Sequence, residues 1–73
     1  MEELIKSILA SGDGSQDRPY IVNSIDEEYL ILHHLNKSLQ MQSLTGSSGK
    51  PMDLMECDDG TSIYFDISAF FGK

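Results

Sequence analysis

The chain has 73 residues, a formal net charge of -7, 40% hydrophobic residues and a single cysteine, Cys57. This length holds one domain with one small core and leaves no room for a deep pocket beside it, while the hydrophobic fraction is that of a globular domain rather than a disordered tail. The charge argues against direct nucleic-acid binding and docking on anionic lipid and favours basic protein partners or cations; the lone cysteine excludes an internal disulfide, as in a reducing compartment.

Residues 2–10 put Leu4, Ile5, Ile8 and Leu9 on one helical face, with Glu2 and Glu3 at the end of the helix that favours acids. The same two acids stand where a signal peptide would be basic, and no apolar run approaches the length of a membrane span, so the expected location is cytoplasmic with no membrane contact. Residues 11–19, with two glycines and a proline, read as a loop, and Tyr20, Ile21 and Val22 as a brief strand. Ser24 followed by Glu27 is a capping box that opens the main helix over 25–36, with Asp26, Glu27 and Glu28 in its first turn. Ile25, Tyr29 and Leu32, flanked by Ile31 and Leu35, make a stripe broad enough to cover one face of a sheet.

From Ser38 the period changes. Leu39, Met41 and Ser43 alternate with Gln40 and Gln42 as in a strand over 39–44, and 45–50 reads as a turn. Strands over 52–57 and 62–67 follow, joined at Asp58, Asp59, Gly60 and Thr61, where Asp-Gly signals a hairpin. The end, from Ser68, is too short for a helix but apolar enough at Phe70 and Phe71 to dock. No internal repeat, linker or second domain is visible. The expected architecture is α+β, a single domain over 1–73: a small antiparallel meander of three or four strands, with the main helix on one face and a short helix at the N-terminus.

Taking Asp59-Gly60 as a two-residue turn pairs Leu54 with Phe65, Glu56 with Ile63 and Met52 with Ile67, which gathers an apolar face. The other face then shows Met55 opposite Tyr64 and Asp53 opposite Asp66, a like-charge pair that disfavours the sheet unless a cation or a partner compensates it. Between Pro51 and Gly72 stand five carboxylates, Asp53, Glu56, Asp58, Asp59 and Asp66, and no Lys or Arg. With Tyr64 and Met55, these are the candidate partner-binding residues.

No catalytic, cofactor or metal residues are assigned. His33 and His34 diverge by about 100° on a helix and do not chelate one ion as an i, i+4 pair does. Asp13, Ser15 and Asp17 have the odd spacing of a calcium loop, but Arg18 and Ser24 replace its glycine and terminal glutamate. Gly12 to Ser15 resembles a phosphate loop only in its glycines. Cys57 has no neighbouring base in sequence to make it a nucleophile.

The string Gly12-Asp13-Gly14-Ser15, then Pro19-Tyr20-Ile21-Val22, Asp26-Glu27-Glu28-Tyr29, and the ending Tyr64-Phe65-Asp66-Ile67-Ser68 with Phe70-Phe71-Gly72, resembles a pattern in small uncharacterised bacterial proteins. The resemblance spans about residues 12–72 and implies a bacterial, autonomous α+β module; it carries over no activity, cofactor or catalytic residue. The function expected is that of a non-catalytic acidic module docking on a basic protein, as inhibitors, immunity proteins or nucleic-acid mimics do. The alternatives are a small metal-binding protein or enzyme using Asp53, Asp66 and a histidine, and a structural module that forms homo-oligomers.

Overall fold

The computed structural model describes residues 2–46 and 50–71. In chain order these form α1 (Glu2–Ala10), β1 (Tyr20–Ile21), α2 (Ile25–His34), β2 (Leu39–Thr45), β3 (Met52–Cys57) and β4 (Ser62–Asp66). The strands make one sheet in the order β1-β4-β3-β2, with β2, β3 and β4 an antiparallel meander and β1 added parallel to β4. The α+β class and the meander are as expected. The parallel pair arises because α2 carries the chain back along the sheet between β1 and β2.

α2 begins as its capping box predicts: Ser24 Oγ accepts the Glu27 N–H at 3.3 Å. The Glu27 carboxylate reaches back one residue further than usual, accepting from Asn23 N–H at 2.9 Å. The helix ends at His34, two residues earlier than expected. Asn36 takes a left-handed conformation (φ 59°), and Lys37 N–H returns to the Leu32 carbonyl, closing the terminus. Its inward stripe is Glu28, Ile31 and Leu32, whereas Ile25 and Tyr29 are exposed. The spacing 28, 31, 32 and 35 is as good a helical stripe as the all-apolar one, and it carries a glutamate into the interior.

The core joins Ile8 of α1, Val22, Ile31 and Leu32 of α2, and Met55, Cys57, Ile63, Phe65 and Ile67 of the hairpin, with Phe70 half-buried against them. Both helices and the C-terminal turn therefore pack on the same side of the sheet. Tyr20 meets Phe65 with ring centroids 6.0 Å apart, in a tilted arrangement favourable to aromatic pairs.

The hairpin register differs from the expected one. β3 and β4 pair Leu54 with Tyr64, Met55 with Ile63 and Asp53 with Phe65, not Leu54 with Phe65. The cause lies in the turn. Cys57 N–H bonds the Thr61 carbonyl at 2.8 Å and Gly60 N–H bonds the Cys57 carbonyl at 3.1 Å, with Gly60 left-handed at φ 88°. The loop thus has three residues with glycine at the left-handed position, rather than a two-residue turn. Ile63, Phe65 and Ile67 face the core as expected, but Met55 and Cys57 join them in place of Met52 and Leu54. Of the expected 45–50 turn, residues 47–49 lie outside the described residues, as do Gly72 and Lys73 at the C-terminus.

Phe65 is wholly buried at the centre of this core. Phe65→Ala is expected to cost about 3 to 5 kcal/mol, a large share of the stability available to so small a domain. Thermal or urea unfolding of the variant checks this, and a cooperative melt near the wild-type midpoint would show that the cavity collapses at little cost.

Candidate functional site

With both helices and the C-terminal turn on one face, the other face of the sheet is left open. It carries Met41, Ser43 and Thr45 of β2, Met52, Leu54 and Glu56 of β3, and Ser62, Tyr64 and Asp66 of β4, because directly paired residues point to the same side, although Met52 at its Asp66 end is itself buried. None of its apolar side chains belongs to the core cluster. Leu54 and Tyr64, paired across the hairpin, are half-buried at its centre, Met41 is exposed toward one edge and Ile21 toward the other.

Acids lie at the hairpin end. Glu56 is half-buried beside Leu54, and Asp58 projects into solvent at the turn; neither side chain accepts a hydrogen bond among the described residues. Asp59 does structural work. Its carboxylate takes the Lys37 ammonium at 2.6 Å and the Thr61 N–H at 3.0 Å, and the Lys37 bond, with the Thr61 bonds behind it, holds it well below the usual carboxylate range. Asp66 is likewise engaged, its Oδ1 accepting from Ser68 N–H at 2.9 Å and Ser68 Oγ at 2.7 Å, which fixes the C-terminal turn. At the Asp66 end the face borders a shallow cavity of about 230 Å³ lined by Arg18, Ile21, Lys50 and Met52 among others, so the charge there is mixed.

Two expected members of the face are elsewhere. Met55 is fully buried in the core, and Asp53 turns inward with 7% exposure, so neither is available to a partner at the surface. The register separates Asp53 from Asp66, which stands opposite Met52, and the expected like-charge pair does not form. Nor do the residues of the metal alternative come together: Asp53 and Asp66 lie on opposite faces, and His33 and His34 are exposed on α2. Among the described residues no group of three or more His, Cys, Asp or Glu is placed to hold a metal ion. Asp13 Oδ1 closes a turn on Ser15 N–H at 2.9 Å instead of facing a calcium loop. Burial pushes the Cys57 thiol up, away from nucleophilic character.

Glu28, expected only as first-turn charge of α2, lies in the interior instead. Its carboxyl is wholly buried between α2 and the sheet, beside Asp53, and its two oxygens have no donor within reach. Two ionised carboxylates facing each other there would be acceptors without a proton between them. Burial first, and then the Asp53 carboxyl, push Glu28 up to about 9. At neutral pH it therefore keeps its proton and donates it to Asp53, whose Oδ2 also accepts from Gln42 Nε2 at 3.2 Å. The signal was present in the sequence as Glu28 at i−3 and i−4 from Ile31 and Leu32.

No protein family, curated protein or solved structure compared with this chain matches it.

The Glu28 pair sets a pH dependence. Unfolded Glu28 ionises near 4.5 and the folded one near 9, so between these values the unfolded chain holds fewer protons and stability falls as pH rises. The slope from this group is up to about 1.4 kcal/mol per pH unit, and the contribution is intact below pH 4.5. Glu28→Gln keeps the shape and a donor while removing the titration. Its melting midpoint is expected to exceed that of the wild type at pH 8 to 9 and to change less between pH 5 and that range; parallel pH profiles of the two proteins would refute this reading of the pair.

Proposed function

We propose that the protein is a non-catalytic binding module that docks a basic protein partner on the open face of its sheet, with Leu54 and Tyr64 as apolar anchors and Glu56 and Asp58 as the steering charges. The observation that carries this reading is the one-sided coverage of the sheet. A domain with so small a core nevertheless leaves an aromatic and aliphatic centre outside it, rimmed by acids at one end. An apolar centre with a charged rim is the anatomy of a protein interface. The strongly shifted carboxyl, Glu28, is sealed from solvent and so out of reach of a substrate, which supports a binding rather than a catalytic role. The net charge of -7 favours a basic partner over nucleic acid. The resemblance noted above implies a bacterial origin, and an inhibitor or immunity role is one form that docking of an acidic module on a basic protein takes.

The test is capture of partners from the cell of origin, compared between the wild type and variants of the open face. A basic protein is expected to bind, and to release as salt rises from about 0.1 M to about 1 M, where the screening length falls from about 10 Å to about 3 Å. Tyr64→Ala is expected to weaken the binding about tenfold or more, and Glu56→Gln with Asp58→Asn to slow association, each with a melt like that of the wild type. A partner bound equally well by the Tyr64→Ala protein would place the interface elsewhere.

A further inference from the structure

The two edges of the sheet are finished differently. β1 is two residues long, its Ile21 N–H is taken by Ser11 Oγ at 2.8 Å, and beyond its start the Gly14 carbonyl takes the Tyr64 N–H of β4 at 2.8 Å. Asp13 and Gly14 N–H groups both bond the Arg18 carbonyl, at 2.8 and 3.0 Å, so a tight loop closes this edge. Gly14 is needed there: at φ 82° it lies against the Tyr20 ring and Ile63, where a Cβ would collide with the ring. β2 has no such cover. It pairs only with β3, and among the described residues no loop or side chain bonds its outward backbone groups. Its seven residues include no charge and no proline, and its one irregularity lies between Leu39 and Met41, leaving Met41–Thr45 regular. Met41 and Leu44 are 57% and 61% exposed, one on each face of the strand. Long uncharged edges of this kind recruit another strand unless something blocks them.

We propose that β2 is a self-association edge: two copies of this chain pair β2 with β2 antiparallel about a twofold axis at Ser43, giving one continuous eight-stranded sheet. A second copy fits the edge in two respects. Centred on Ser43, the pairing sets Met41 against Thr45 of the other copy on the open face and Gln42 against Leu44 on the helix face, so both exposed apolar side chains are covered and each pair shares a side. β2 is also the stretch along which two chains of charge -7 approach without setting carboxylate against carboxylate. This pairing stands apart from docking on the open face.

Light scattering across a concentration series tests it. The mass is expected to rise toward twice 8.1 kDa, and the association to tighten with added salt because the copies carry like net charge; docking of a basic partner has the opposite salt dependence. Ser43→Lys sets two ammonium groups across the axis and is expected to return the mass to that of one chain with the melt retained. Ser43→Cys is expected to give a covalent dimer under mild oxidation, since either type of antiparallel pair brings the Cα atoms within disulfide range, whereas Gln16→Cys in the loop at the other edge is not. A single-chain mass at every concentration, with no cross-link through Ser43→Cys, would overturn the proposal. So would a dimer indifferent to Ser43→Lys, and a strand supplied by another protein would appear as a heterodimer that Ser43→Lys leaves intact.

Discussion

The closure of the β3–β4 hairpin decides what the rest of the molecule can be. Cys57 and Thr61 bond across a three-residue loop whose last member, Gly60, is left-handed, and nothing lies within 4 Å of a Cβ built there. Glycine is demanded by the backbone angle rather than by crowding. This choice of loop length assigns a face to every residue of β3. It sends Met55 and Cys57 into the core, leaves Leu54 outside, and turns Asp53 toward α2.

Packing then follows from connectivity. α2 leaves β1 at one edge and delivers the chain to β2 at the other, so it must cross one face of the sheet, and α1 settles beside it against the same core. Among the described residues there is no further helix for the second face. Leu54 and Tyr64 therefore shield each other across the hairpin instead of being covered, and the fold has an apolar surface that its own described elements leave open.

Much of this architecture was legible in residue patterns because the signals were local. The capping box at Ser24, the alternation in β4, and the glycine-rich loop after α1 each specify an element without reference to the rest of the chain. In β2, by contrast, the irregularity between Leu39 and Met41 leaves Leu39 on the core side, sends Met41 to the open face and breaks the expected alternation. The face of β3 was not legible, because Met-Asp-Leu-Met-Glu-Cys offers two nearly equal sets, Met52 with Leu54 or Met55 with Cys57, and a one-residue change in the turn exchanges them. Reading the turn as two residues moved Met55 and Asp53 onto the wrong side and created an Asp53–Asp66 pair that the fold lacks. Tyr64 keeps its place on the outer face and Asp58 its place in the turn, while Glu56, expected opposite Ile63 at the tip of the apolar face, stands opposite Ser62 on the open one. Glu28 escaped notice because an acid in the first turn of a helix has a sufficient local explanation in the helix dipole, and only the tertiary contact shows that it faces inward.

The proton held between Glu28 and Asp53 also changes the ledger of ions in solution. At neutral pH the folded chain carries one negative charge fewer than the formal -7, and the missing charge appears only when α2 lifts from the sheet. Unfolding thus releases a proton to the buffer, and the heat absorbed on melting includes the ionisation heat of whichever buffer accepts it.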